Sequence, residues 1–284
     1  MKIGIGLPNQ VRGTRPAVIP DWAARAEQAG FSTLGTVGRL AYPGVMDTVA
    51  LAAAAGATKS IGLFTNVLLA SVWPPVLLAK ETAGIDAVSG GRLTLGLGVG
   101  SRPDDFVVDG LGLAGRGRRF EQDLAVYRDV WQGEPIGGGP NPAVTPGARQ
   151  IPLLIGGGAP VSFERMARWG KGYVVSALPA PAAAPLFQQA RAAWAEAGRE
   201  GSPYLVAVSY FALGDVEQGR ANVSDYASAH GEEVVRMLTN GMATGQGPVK
   251  DTVAAFADLG VDELIFSPSV GDVDEVSRLA DTVL

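Results

Sequence analysis

Eight short apolar runs alternate with amphipathic stretches along this chain, and that alternation limits the possible folds more than any other feature. The runs are Ile3–Leu7, Thr33–Val37, Ile61–Leu69, Leu93–Val99, Pro152–Ile155, Tyr173–Ala177, Tyr204–Leu213 and Leu264–Phe266. Each is followed by at least one stretch with helical spacing. Pro20–Ala29 stops at Gly30, Asp47 stands where a cap for the Ala-rich helix through Ala57 is expected, and Val76–Val88 ends at Gly90-Gly91. Phe120, Leu124, Tyr127 and Trp131 share one helical face. Further helices are expected over Val161–Trp169, Leu186–Ala197, the longer region Val216–Thr239, Val249–Leu259 and Val273–Val283. Eight strand–helix units close into a (β/α)8 TIM barrel in about 250 residues, and 284 residues accommodate one. A doubly wound open sheet competes, but its sharp Gly-rich turn after the first strand is missing: that strand ends in Pro8-Asn9-Gln10. The expectation is one α/β barrel domain over 1–284, with a Gly/Pro-rich loop at 133–150 and a helical insertion near 216–247.

Composition removes several function classes. The chain has no cysteine, so disulfides, thiolate metal sites and cysteine nucleophiles are excluded. Its one histidine, His230, excludes zinc sites built from several histidines. Net charge is -5 and no basic stripe occurs, so nucleic acid is not an expected partner. The opening Met1–Pro8 is too short and Gly-rich for a signal peptide. Apolar stretches break before the ~18 residues that a membrane span needs. A cytoplasmic location without membrane contact is expected.

In such a barrel the chemistry lies at the C-terminal strand ends. One of these ends is Ile155-Gly156-Gly157-Gly158-Ala159-Pro160-Val161-Ser162, a strand, a glycine run and a helix start. Glycine lets the backbone approach an anion, and the first helical turn offers free N–H groups and a positive dipole end. Pro160 fits that start. The same residues would also serve as a tight turn with a capping serine.

Four segments together resemble the bacterial luciferase-like monooxygenase family. They are Gln28-Ala29-Gly30-Phe31; Ile61-Gly62-Leu63-Phe64-Thr65-Asn66-Val67-Leu68-Leu69; Pro75-Val76-Leu77-Leu78-Ala79-Lys80-Glu81 with Ile85–Arg92 and Leu95–Gly100; and Ile151–Gly158 running on to Gly170. The resemblance implies a (β/α)8 barrel that binds reduced FMN, or in one branch the deazaflavin coenzyme F420, at the mouth. FMN would activate oxygen, whereas the deazaflavin would transfer hydride. It also implies that Gly157, Gly158, Ala159 and Ser162 hold the cofactor phosphate, with Ser176 as a second hydroxyl. A cis peptide at Phe64–Thr65, followed by Asn66, would support the ring. Gly96, Gly98 and Gly100 would leave room for it, or would serve close packing. Ser101 and Arg102 would face the phosphate or ribityl chain, and Arg118 or Arg119 would reach the phosphate.

The chain departs from the family after the second strand. Where many members carry an acid followed by histidine, it has Gly38 and Arg39. Arg39 stays protonated and cannot be a general acid or base. It is a candidate to stabilise charge on a reduced flavin, or a salt bridge at the rim. Arg39 and Asn66 are thus the candidate catalytic residues. Tyr42, Trp73 and Tyr210 are candidates for an apolar substrate pocket, and Asp104-Asp105 for capping a turn. His230 reads as a surface or satisfied residue. The resulting expectation is an FMN-dependent monooxygenase of a small organic substrate. Without a nicotinamide fingerprint, it would take reduced flavin from a separate reductase. An F420-dependent reductase or dehydrogenase and a non-catalytic flavin-binding protein are the alternatives. The family resemblance also allows a homodimer.

Overall fold

The computed structural model describes all residues but 108, 109 and 111. The strands are β1 (Lys2–Gly6), β2 (Thr33–Thr36), β3 (Gly62–Leu69), β4 (Leu93–Gly98), β5 (Leu153–Gly156), β6 (Gly172–Val175), β7 (Tyr204–Ala212), β8 (Ala243–Thr244) and β9 (Glu263–Pro268). β1 to β7 pair in chain order, and β9 closes the ring between β7 and β1, every pairing parallel. The closed barrel therefore has the eight strands expected from the sequence. β8 stands apart, pairing its two residues with Phe211 and Ala212 at the end of β7. Two residues are too few to show a period, so β8 leaves no sign in the amino-acid pattern.

The helices are α1 (Ile19–Ala29), α2 (Asp47–Ala57), α3 (Pro75–Ser89), α4 (Pro103–Val107), α5 (Arg116–Gln132) and α6 (Pro160–Trp169), followed by α7 (Ala180–Glu196), α8 (Val216–Ala227), α9 (Glu232–Asn240), α10 (Gln246–Asp258) and α11 (Glu275–Val283). None of the described helices is long and apolar enough to cross a membrane. Inside the ring, Phe64, Leu154, Val174, Val206, Val208 and Ile265 fill the barrel. Between ring and helices lies the larger core, with Trp22, Phe120, Tyr127, Phe187 and Phe266 fully buried. Each such side chain contributes about 1.5–3 kcal/mol on leaving water.

Local chemistry sets the boundaries. Gly30, Gly90 and Gly133 end α1, α3 and α5 in the left-handed region, at φ 96, 72 and 84°, where other residues are strained. Three expectations shift. Asp47 does not cap α2: Met46 holds the cap position, and the Asp47 side chain turns inward, 2% exposed. α7 starts at Ala180 and runs through Pro185, because Ala183, Phe187, Ala190 and Trp194 bury one continuous face. The Val216–Thr239 region is not one helix. It breaks at a 3-10 turn, Ser228–His230, and at Gly231, whose φ is 88°.

At the N-terminal end of the barrel, two charged groups tie segments together. Arg92 donates to the carbonyls of Ser89, Ile61, Ala55 and Thr58 and to the Thr58 hydroxyl. Glu27 accepts from the amides of Lys59, Ser60 and Ile61. Burial would raise the Glu27 pKa, but these bonds outweigh it and hold the carboxyl at about 2. The Gly/Pro-rich loop is irregular, with one bridge between Pro135 and Pro142. Arg149 fastens its end, gripping Asp86 through two bonds of 2.8 and 2.7 Å.

Candidate active site

A cavity of about 470 Å³ opens at the C-terminal ends of the strands. It falls in the usual range for small-molecule and cofactor sites. A larger groove of about 850 Å³ lies at the opposite end, around Trp131, Trp169 and Trp194. Its Arg191 and Arg199 already donate to main-chain carbonyls at 2.7 and 2.6 Å. Barrel chemistry belongs to the other face, so the mouth is the candidate site.

The mouth gathers Asn66, Gly98, Ser101, Gly157, Gly158, Ala159, Ser162 and Ser176 from the sequence-derived set. Phe64, Thr65 and Arg39 are not in its lining. At the β5–α6 turn, Gly157 has φ 119°, and a Cβ there would lie 2.8 Å from Ser162 Oγ. Tyr173 anchors the turn, its hydroxyl donating to the Gly157 carbonyl at 2.9 Å. Ala159 takes the N-cap position without a side-chain cap, and no acidic residue enters the first turn. No serine caps this helix start: Pro160 carries no N–H, the Ser162 amide donates to the Ala159 carbonyl at 2.8 Å, and the Ser162 hydroxyl stands beside the turn.

On β3, the cis peptide is Asn66–Val67, not Phe64–Thr65. It falls where the β3–β4 register shifts between Thr65 and Leu68. The alternation of β3 turns Phe64 into the barrel filling. Thr65 donates its hydroxyl to the Gly96 carbonyl at 2.8 Å. The shift brings Asn66 and Val67 to the cavity instead. Asn66 is 6% exposed, and its Oδ1 has no partner among the described residues. Gly96 proves to be a packing glycine, since a Cβ would run into the Thr65 carbonyl and the Phe64 ring. Gly98 lines the cavity, but Val67 lies 2.8 Å from where its Cβ would be.

Arg39 lies behind the cavity wall with a 3% exposed side chain. It pairs with Asp104, approaches Asp105, and donates to the Tyr226 carbonyl at 3.4 Å. Asp105 accepts from the amides of Leu40 and Ala41, both at 2.8 Å. The aspartate pair therefore ties the β2 end to α4, while Asp104 also accepts from the Asp105 amide at 3.0 Å within its own turn. Tyr42 extends the tie, donating to Asp225 at 2.6 Å and meeting the Tyr226 ring edge-on at 5.0 Å. Glycine is required at 38, because a Cβ there would lie 2.5 Å from Asp47 Oδ2. Burial pushes that Asp47 carboxyl up to about 6.

Arg102, expected from the sequence to face the phosphate or ribityl chain, does line the cavity. Arg102 stands 4.9 Å from the Tyr226 ring centroid, and its Nε lacks a partner among the described residues. Arg116, not Arg118 or Arg119, lines the cavity, donating to the carbonyls of Gly100 and Leu113. Of the three aromatic candidates for a substrate pocket, Tyr210 lines it while Tyr42 and Trp73 do not. α9 buries none of its residues, yet presents Val234, Met237 and Leu238 to the cavity. Tyr226 and His230 complete that side. The spacing of Val234, Met237 and Leu238 was the available signal, but such a stripe reads equally as core.

The family model of luciferase-like monooxygenases matches residues 1–278, and the chain belongs to that family. An uncharacterised protein of Mycobacterium tuberculosis (strain ATCC 25618 / H37Rv) is 29% identical over 245 residues, covering 82% of this chain and 74% of that one. The oxygenase component of the flavin-dependent trigonelline monooxygenase of Acinetobacter baylyi is 30% identical over 82 residues, 28% of this chain and 23% of that protein. An F420-dependent secondary alcohol dehydrogenase, solved with an F420–acetone adduct, matches 99% of this chain and 98% of its own with TM-score 0.81 and 16% identity. The oxygenating constituent of the Pseudomonas putida 3,6-diketocamphane monooxygenase, solved with FMN, gives TM-score 0.74 and 16% identity over 99% and 95% of the two chains. At such identities these structures share the fold.

Proposed function

We propose that the chain is a flavin-dependent oxidoreductase, an FMN-using monooxygenase of a small organic substrate. The observation that carries this reading is the mouth cavity, with an open glycine turn at one side and a buried, unpartnered amide oxygen at another. These features fit the group that the family implies. Gly157, Gly158, Ala159 and Ser162 would hold the phosphate, with Ser176 beside them. Arg102 would add a positive charge, its Nε without a partner among the described residues. Asn66 Oδ1, buried and without a partner among the described residues, would accept a hydrogen bond from an N–H edge of the ring. Reduced FMN, when bound, supplies the electrons that activate oxygen.

The protein's own residues then bind and orient. The α9 residues Val234, Met237 and Leu238 cover the cavity and reduce its exposure to water. Arg39 acts one layer back, holding the β2 end, α4 and α8 together. A separate reductase supplies the reduced flavin. Ser162→Ala is expected to weaken FMN binding about fivefold, about 1 kcal/mol, the net worth of one ordinary hydrogen bond. Fluorescence titration measures it, with circular dichroism confirming the fold. An unchanged affinity contradicts the phosphate placement.

A further inference from the structure

We propose that His230 is the residue that exchanges a proton with the molecule bound in the mouth cavity. This rests on the mouth being the reaction site. Five titratable side chains line that cavity among the described residues: Arg102, Arg116, Tyr210, Tyr226 and His230. Arginine does not lose its proton in proteins. Burial pushes the Tyr210 hydroxyl up to about 12, and that of Tyr226 upward as well. Only the imidazole can change charge near neutral pH. It is also the chain's one histidine.

The break between α8 and α9 puts it there. A continuous helix would carry position 230 around a regular face. Instead the Ser228–His230 turn and Gly231 redirect the chain, and the side chain enters the cavity lining. Burial lowers its pKa from 6.5, and so do the charges of Arg102 on the β4 side and Arg39 at the β2 end; Asp104 and Asp105 oppose them. Those two aspartates are engaged, one with Arg39 and one with the Leu40 and Ala41 amides. On its own segment, Asp225 is held by Arg12 and Tyr42, and Glu232 and Glu233 are exposed. The imidazole is therefore neutral at pH 7 and able to accept a proton.

The step balances within the cavity. An O–H or N–H bond of the bound molecule breaks, and its electron pair stays on the oxygen or nitrogen. The proton joins the imidazole, giving imidazolium, and the anion left behind shares the cavity with Arg102. The reverse step returns the proton.

A single histidine makes the test direct, because its ring Cε1–H signal in proton NMR needs no assignment. In the protein alone its titration midpoint is expected below 6.5. Saturation with FMN, an anion, is expected to raise that midpoint, because nearby negative charge favours imidazolium. By linkage, wild type then gains FMN affinity as pH falls through that midpoint. His230→Gln is expected to bind FMN without this gain, differing several-fold from wild type at about pH 5.5 and converging with it at about pH 8. The phosphate's own titration is common to both proteins and cancels. FMN bound with an unmoved histidine signal, and the same pH dependence in His230→Gln, overturns the role of His230 and leaves the flavin reading standing. A free-protein midpoint at or above 6.5 overturns the role also. Failure of FMN and F420 alike to bind overturns the flavin reading itself, and this role with it.

Discussion

Gly157→Val is expected to abolish FMN binding in a protein that still folds. Gly157 sits at φ 119°, outside the range that L side chains ordinarily adopt, and a Cβ there would lie 2.8 Å from Ser162 Oγ. Valine must therefore either rotate the backbone or displace the serine. Both movements close the space where a phosphate would meet the glycine turn and the Ser162 hydroxyl. The loss is expected to reach hundredfold or more, about 3 kcal/mol. The turn itself is exposed, so the strain of about 1–3 kcal/mol falls at the surface rather than in the core. Unchanged far-ultraviolet circular dichroism separates loss of binding from loss of fold. Gly157→Ala should lie between the two. A valine variant that binds FMN as wild type does would place the phosphate elsewhere.

Arg92→Ala is expected to give the largest loss of stability, about 2–3 kcal/mol in urea unfolding, through a half-buried hydrogen-bond hub left without its donor. Arg92 donates at 2.6 Å to Ser89, 2.7 Å to Ile61, 2.9 Å to the Thr58 hydroxyl, and 3.1 Å to the carbonyls of Ala55 and Thr58. These acceptors come from α2, α3 and the lead into β3, so one planar group fixes three segments. Burial lowers its pKa while Glu27 raises it, which matches a partly desolvated cation facing one carboxylate and several carbonyl dipoles. Removing it leaves buried acceptors unmatched, which costs more than the bonds alone contributed. Lysine cannot span the same fork, so Arg92→Lys should recover little. A loss below about 1 kcal/mol would show that water or a small movement replaces the hub.

The barrel was legible because its signals are local and repeated. Apolar runs of three to ten residues and glycine stops mark each unit, and every ring strand lies within a run read from sequence or overlaps it closely. Position at the strand ends then brought most of the mouth together: Asn66, Gly98, Ser101, the β5 turn, Ser162 and Ser176 all line it. What stayed hidden depends on exceptions to periodicity. The β3 irregularity shifts exposure by a step, taking Phe64 and Thr65 out of the lining and bringing in Val67. Gly231 breaks an otherwise helical region, and with it went the placement of His230. Arg39 and Asp105 depend on long-range pairing between the β2 end and α4, which no local pattern records. Asp47 looked like a helix cap because its spacing suited one, yet it is buried toward Gly38.

Binding of a reduced cofactor at the mouth tests the central claim most directly. Purified protein is titrated with FMN, reduced FMN and reduced F420, followed by fluorescence, with Gly157→Val as the control. Saturable, equimolar binding of a reduced flavin or deazaflavin, lost in the control, is the expected result, and the ligand that saturates identifies the cofactor. Titrations that never saturate with any of the three, or binding that the control retains in full, would contradict it.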